Sequence, residues 1–359
     1  KRKKRKIYGG LAINEAIKKR NKEIIDNKKI KNKKQSLGEE IYDKNNIPDY
    51  DFYSPEPFKD IIELCNELYN NDLHHIIAER ALHHNTYSIK VELYERNIAD
   101  ISYIPLKIYN EIPKFSVNKI LYVKPEFTII DSYRILMDPV TSWFRLDKVY
   151  PRVQTLEKLY ILPKKLPPST KKFTVNKNES IYNEIKDDLY RNIILKYNLV
   201  VIGTYAYNQL IELLKIKSYK KRLVKNNVLE CLLFVNKIDG KERKMTTIAN
   251  KKINKIYKQI KKHLILNHNI KSSAITYNTY NKFIDLYGYS DELLINNVPI
   301  IRIYTTNKCI PFHNSHNNIN IGSFYLILYL LMSQKFKSRV SSQKNSDKKY
   351  TYMIQNLLY

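Results

Sequence analysis

The chain has 359 residues, 43% of them apolar, which is enough for two domains with real cores. Its 63 Lys and Arg against 35 Asp and Glu give a formal net charge of +28, which points to a polyanionic partner. Three widely separated cysteines, Cys65, Cys231 and Cys309, exclude a disulfide scaffold, lack metal-ligand spacing and fit a reducing intracellular setting.

Lys1 to Lys6 is a basic run with no apolar stretch of signal length behind it, and the chain begins without an initiator Met, as a fragment does. Ile7-Tyr8-Gly9-Gly10-Leu11-Ala12-Ile13-Asn14 reads as a strand end, a glycine turn and a helix start. The glycines let a phosphate approach the backbone, and the helix N-terminus behind them favours its negative charge. A lone Gly-Gly is otherwise only a turn. A basic helix follows from Glu15 to about Lys34. Single lysine pairs such as Lys28-Lys29 or Lys261-Lys262 read first as solvated helix faces. Part of the Lys excess also tracks the chain's general richness in Lys, Asn, Ile and Tyr, the residues of A- and T-rich codons.

Asp49-Tyr50-Asp51-Phe52-Tyr53 reads as a strand with two carboxylates at i and i+2. Side chains alternate faces along a strand, so Asp49 and Asp51 point the same way. Two such charges repel unless a cation sits between them, and hard divalent ions want oxygen ligands of this kind. Alone, Asp-x-Asp is most often a solvated strand edge. Phe58 to Tyr69 forms an amphipathic helix with Ile61, Ile62, Leu64, Cys65 and Leu68 inward. Strands are expected at His75–Leu82 and Tyr87–Tyr94. His74, His75, His83 and His84 flank the first of these without tetrahedral spacing to Cys, so turn chemistry, or a loop at 84–86 over a nucleotide, is preferred to zinc.

Asn97 to Ile104 is an apolar strand carrying Asp100, the preferred third carboxylate over Glu92, which sits in a solvated alternation with Lys90. Pro125–Met137 and Thr141–Leu162 read as helices split by Asp138-Pro139. Arg145, Lys148 and Arg152 lie at i, i+3 and i+7 on the second helix, as triphosphate and RNA contacts or as a solvated face. Trp143, the single tryptophan, is expected to pack that helix against its domain.

Residues 163–178, rich in Lys, Pro, Ser and Thr, read as a linker between a domain at 1–162 and another at 179–359. The second opens on an echo. Val200-Val201-Ile202-Gly203-Thr204-Tyr205-Ala206-Tyr207-Asn208 sets Gly203 on Gly9, Ala206 on Ala12 and Asn208 on Asn14. Its next strands, Val228–Val235 and Val298–Thr305, carry no Asp-x-Asp. Phe324–Met332 is apolar but far too short to span a membrane, and reads as a buried helix.

The order Gly-Gly, helix, Asp-x-Asp, later carboxylate resembles the nucleotidyltransferase superfamily. Residues 7 to about 162 resemble more closely the poly(A) polymerases of large DNA viruses, of poxvirus, asfarvirus and giant-virus type. Ile7–Asn14, Pro48–Pro55, His83–Tyr87, Ile98–Pro105, Ile130–Arg134 and Trp143–Arg152 carry the likeness. It departs at Leu11, where many nucleotidyltransferases place a serine.

The resemblance implies an α/β (α+β) fold of two nucleotidyltransferase-like domains, each a small mixed sheet flanked by helices, the second a degenerate copy. It implies template-independent addition of AMP from ATP to RNA 3′ ends in a basic cleft. Asp49, Asp51 and Asp100 would hold two Mg²⁺ or Mn²⁺ ions. Gly9, Gly10, Asn14, Lys148 and Arg152 would bind the nucleotide. Expected partners are ATP and an RNA 3′ end, with a homodimer or a viral processivity subunit left open and no membrane. The expected setting is the host cytoplasm or the virion. Two alternatives stay open: a CCA-adding or oligoadenylate-synthase-type enzyme, and a non-catalytic RNA-binding processivity subunit.

Overall fold

The computed structural model describes residues 4–31, 37–42, 46, 48–81, 85–92, 96–138, 142–161, 168, 180–215, 219–225, 228–235, 242–279, 290–306, 309–314, 318–341 and 343–359. The expected linker falls outside them except at Pro168, as do His83 and His84. The chain divides into two compact units, residues 1–132 with 147–162, and residues 133–146 with 163–359. Residues 133–146, read from the sequence as part of the first domain, thus cluster with the second.

The first unit is built on one seven-stranded mixed sheet. Its elements are β1 (Lys6–Ile7), α1 (Gly9–Lys31), β2 (Tyr50–Ser54), α2 (Pro57–Tyr69), β3 (Ile76–Arg80), β4 (Thr86–Val91), β5 (Arg96–Tyr103), α3 (Leu106–Glu111), β6 (Lys114–Val117) and β7 (Ile120–Val123). Next in the chain come α4 (Pro125–Leu136), whose end from residue 133 clusters with the second unit, as does a 3₁₀ turn at Trp143–Arg145, and then α5 (Leu146–Leu156) and a π-helical turn at Glu157–Ile161. The strand order is β3-β4-β5-β2-β1-β7-β6. The expected strands at 49–53, 75–82, 87–94 and 97–104 are present within a few residues; the β6–β7 hairpin had no clear sequence signal.

Two expectations are corrected. Ile62 does not face inward: it is 61% exposed, because the stripe at 61, 64, 65 and 68 meets the sheet and residue 62 falls outside it. Trp143 does not pack its helix against a domain. It lies in the 3₁₀ turn, 71% exposed, edge-on to Phe144 at 6.0 Å.

The second unit carries α6 (Ser180–Lys196), β8 (Val200–Ile202), α7 (Gly203–Leu213), β9 (Leu229–Phe234) and α8 (Glu242–His268). Strands β10 (Ile275–Thr279), β11 (Ser290–Ile295), β12 (Val298–Thr306), β13 (Phe312–Asn314) and β14 (Asn320–Gly322) follow. The chain ends in α9 (Phe324–Val340) and α10 (Lys344–Leu358). The sheet order is β10-β11-β12-β9-β8-β14-β13, the order of the first sheet strand for strand.

The directions match as well. The inner steps β1–β2 and β8–β9 are antiparallel, β2–β5 and β9–β12 parallel, and β1–β7 and β8–β14 parallel. The outer steps are antiparallel in both sheets. The echo at Gly203 is therefore a duplicated domain. The Asn pair in it has one structural task in both copies. Asn14 Oδ1 accepts from the amides of Ile41 (2.7 Å) and Tyr42 (3.1 Å), and Asn208 brackets Val224, accepting its N–H at 2.9 Å and donating to its carbonyl at 2.8 Å.

The apolar run at 324–332 is the buried start of α9, capped by Ser323, whose Oγ accepts from the Leu326 amide at 3.3 Å. Among the described residues no helix is long and apolar enough to cross a membrane.

Candidate active site

The site grows from the turn after β1. Gly9 has φ +67°, a left-handed conformation that glycine adopts without steric cost. A Cβ there would stand 2.1 Å from Asp51 Oδ2, so the carboxylate lies directly against the glycine. A Cβ on Gly10 would stand 2.2 Å from the Tyr42 hydroxyl. The two glycines thus open α1 at the edge of the carboxylates, and Asn14, one turn on, fixes the backbone of Tyr42 beside them. Leu11, the departure from a hydroxyl residue, packs against the cluster of Ile7, Ala12 and Tyr122. Its side chain serves the core.

Asp51 on β2 is the register partner of Asp100 on the parallel neighbour β5. Asp49 lies immediately before β2 rather than inside it. The Asn97 amide ties the set together, donating to Asp100 Oδ1 at 3.1 Å and to Asp49 Oδ2 at 3.5 Å. Ser88, opposite Asp100 on β4, donates to the same Asp100 oxygen at 2.6 Å. The three carboxylates expected from the sequence are brought together. Glu92, the rival for the third position, follows β4 and is exposed.

Two tyrosines complete the floor and wall. The Tyr8 phenol is bonded to Ser102 Oγ at 2.7 Å and stacks on Tyr53 at 4.0 Å. Burial, and then the charges of Asp51, Asp131 and Asp100, push its pKa well up, so it stays neutral beneath the acids. Tyr42 is raised by burial too, with Arg152 opposing the shift through its charge and a hydrogen bond and Asp49 and Asp51 adding to it. Arg152 on α5 is therefore held at the acidic site by Tyr42. Lys148 lies one turn earlier on α5, exposed. Arg145 sits in the 3₁₀ turn with its guanidinium 5.5 Å from the Phe144 ring centre.

Sequence reasoning missed Asn97, Tyr42 and Tyr8. Tyr8 directly precedes the glycines and Asn97 stands three residues before Asp100, so proximity was the available signal. Tyr42 had none.

The donor set fits a hard divalent cation. It consists of carboxylate oxygens in register, with the buried Asn97 Oδ1 beside them holding no hydrogen-bond partner.

The second copy shows what the same frame does otherwise. Gly203 has φ +65°, and a Cβ on it would stand 2.1 Å from Glu230 Oε2, so Glu230 occupies the place of Asp51. The register partner of Glu230 on β12 is Arg302, where the first sheet has Asp100, and the partner of Arg302 on β11 is Glu292, where the first has Ser88. Arg302 binds Glu230 at 2.8 Å and Glu292 at 3.1 Å and through a second, shorter bond. A guanidinium has replaced the third carboxylate and bridges the two acids from within, offsetting one of their two charges.

Comparison with known proteins identifies what the chain resembles. Residues 1–142 match the family model described as poly(A) polymerase catalytic subunit. A protein of Acanthamoeba polyphaga mimivirus named as a poly(A) polymerase catalytic subunit is 26% identical over 99% of this chain. The chain spans 59% of that relative's length. A protein of the same name from African swine fever virus is 26% identical over 45% of this chain and 31% of its own. The crystal structure of the Megavirus polyadenylate synthase superposes with a TM-score of 0.78 at 25% identity, covering 99% of this chain and 65% of that one. The resemblance to the poly(A) polymerase catalytic subunits of large DNA viruses is thus shown, and with it the two-domain nucleotidyltransferase fold.

Proposed function

We propose that this chain is the catalytic part of a template-independent polynucleotide adenylyltransferase that adds AMP from ATP to RNA 3′ ends. The observation that carries the reading is the register pairing of Asp51 with Asp100 against the Gly9 turn, with Asp49 alongside. Asp49, Asp51 and Asp100 would hold two Mg²⁺ or Mn²⁺ ions, with the Asn97 carbonyl as an added oxygen donor. Bound cations would supply charge neutralisation at the triphosphate and acidify the attacking 3′-hydroxyl.

The chain's own groups do the rest. Gly9 and Gly10 leave room for phosphate oxygens at the first amides of α1. Arg152, oriented by Tyr42, and Lys148 balance the triphosphate charge from α5. Asn97 and Ser88 hold the acids in one orientation, and the neutral Tyr8 adds no charge under them. The RNA partner is held through phosphates, in line with the +28 charge. The protein would work inside the host cell or virion of a large DNA virus.

Incubation with a short RNA primer and each of the four NTPs tests this. ATP alone should extend the primer, dependent on Mg²⁺ or Mn²⁺, and Asp51→Asn should lower the rate by on the order of 10³-fold while RNA binding survives. Unchanged extension by Asp51→Asn would reject the site. Defined CCA ends or 2′–5′ linkages in the product would reject the substrate assignment.

A further inference from the structure

A second cluster of metal-competent side chains lies in the second unit, away from both glycine turns. Asp188 is in the middle of α6. His263 is in the last turns of α8, and His268 is its final residue. His263 Nε2 stands 2.5 Å and His268 Nε2 2.7 Å from the same oxygen, Asp188 Oδ2. The three ligand atoms all lie within 4.8 Å of one another, and all three residues are partly buried.

Residues five apart on a regular helix point well away from each other. They converge here because α8 ends at His268 and the chain leaves through Asn269, in a left-handed turn with φ +52°. The Asn267 amide nitrogen sits 3.0 Å from His263 Nδ1 and donates to its lone pair. That tautomer puts the proton on Nε2, which donates it to Asp188 Oδ2, and a metal ion bound there would take the place of that proton. Asn192 donates to the other carboxylate oxygen at 2.5 Å. His263 and Asp188 thus each have an outer partner, the arrangement that orients metal-binding imidazoles and carboxylates.

We propose that Asp188, His263 and His268 form a Zn²⁺ site that pins the end of α8 to α6. Two imidazole nitrogens and one carboxylate oxygen make a borderline donor set that suits Zn²⁺, and Co²⁺ or Ni²⁺ as surrogates, over Mg²⁺ or Ca²⁺. Zinc–nitrogen distances of about 2.0–2.1 Å need only a small opening of the present hydrogen-bonded triad, with water completing a tetrahedron. The site is structural, since the three ligands clamp two helices and no glycine turn faces them. It does not depend on the proposed nucleotidyl transfer.

The test is equilibrium dialysis of the full chain against Zn²⁺ in excess Mg²⁺, which occupies the Asp49–Asp51–Asp100 carboxylates, with bound metal measured by mass spectrometry. The wild type should hold one tight equivalent. His263→Ala and His268→Ala should each weaken it at least about 100-fold, since losing an outer partner alone costs 10–100-fold. Zinc should raise the melting temperature of the wild type and not of the variants, and primer extension in Mg²⁺ should be the same in all three. If a variant fails to fold, the Co²⁺ spectrum of the wild type decides. Intense visible bands of a four-coordinate, nitrogen-ligated ion support the site, and the weak bands of a six-coordinate ion overturn it. Wild type without bound zinc, or variants that bind zinc as the wild type does, reduce the cluster to a hydrogen-bonded carboxylate–imidazole group and refute the proposal.

Discussion

Arg302→Met is the sharpest probe of the duplicated site. The Arg302 side chain is 13% exposed and its partners Glu230 and Glu292 are 20% and 10% exposed, so all three charges are largely withdrawn from water. Methionine keeps the length and loses the guanidinium. Two acids would then face each other across β9, β12 and β11 without the guanidinium between them, the Lys349 ammonium near Glu230 opposing them from outside. Breaking a buried pair from one side costs about 3–5 kcal/mol, and partial exposure of Glu230 places this case near the lower end, about 3 kcal/mol. For a unit of this size that lowers the melting temperature by about 6–12 °C. Calorimetry of the wild type and Arg302→Met measures it. Two further measurements identify the cause. Adding Glu230→Gln and Glu292→Gln to the Met variant should restore most of the loss, because uncharged amides tolerate the site. Mg²⁺ should also recover part of the loss in Arg302→Met, since the uncovered acid pair would then match the arrangement proposed for Asp51 and Asp100. A variant that melts with the wild type, or a triple variant no better than the single, would show that Arg302 does not act as the internal counter-ion.

Other outcomes follow from the same structure. Asp100→Arg copies the second unit's solution into the first, and should fold, yet abolish divalent-ion binding and primer extension; retained extension would contradict the register argument. Gly9→Ala should cost about 1–2 kcal/mol for the left-handed backbone and displace Asp51, so activity should fall further than stability; chemical denaturation beside the extension assay separates the two. The Lys349 ammonium, partly buried and crowded by Lys225 and Lys186, is lowered to about 8, by burial above all. The unfolded chain binds its proton up to about 10.5, so stability rises with pH from about 8 upward. Lys349→Met should gain about 1–2 kcal/mol at pH 7, a gain that shrinks towards pH 10, and a pH-independent difference would refute the assignment. Lys251, Lys255 and Lys258 line one exposed face of α8. Their joint replacement by Gln should flatten the slope of log RNA affinity against log salt by about 2, if each meets a phosphate; an unchanged slope removes this face from the RNA path.

The first site was legible because its chemistry is written locally. Gly9-Gly10 and Asp49-x-Asp51 are contiguous signals, and Asp100 stood out as an acid in an apolar strand. The duplication was legible from Gly203, held in a left-handed turn, Ala206, fully buried, and Asn208, whose side chain bonds the Val224 backbone. What stayed hidden depends on strands meeting. Nothing near Glu230 in sequence announces Arg302, 72 residues away, and nothing near His263 announces Asp188. Asn14 illustrates the opposite limit. Its place beside the glycines suggested a ligand contact, while its side chain is committed to the backbone at Ile41 and Tyr42. Arg152 reads equally as a solvated residue from helix spacing, and only Tyr42 brings it to the acids.

Two sheets of one strand order in one chain create a sorting problem during folding, since each central strand meets two acceptable neighbours before it finds its own. β8 is apolar throughout, Val200-Val201-Ile202. β1 carries Lys6, which is buried. Its ammonium donates to the carbonyls of Tyr109 and, at 2.9 Å, Ile112, around the end of α3. No apolar strand could use those carbonyls, and β1 paired into the wrong sheet would bury a cation with no acceptor. Lys6, which burial lowers to about 8, is thus a costly residue in its own sheet and a forbidden one elsewhere. It works as an address label, marking which of two look-alike scaffolds β1 must join.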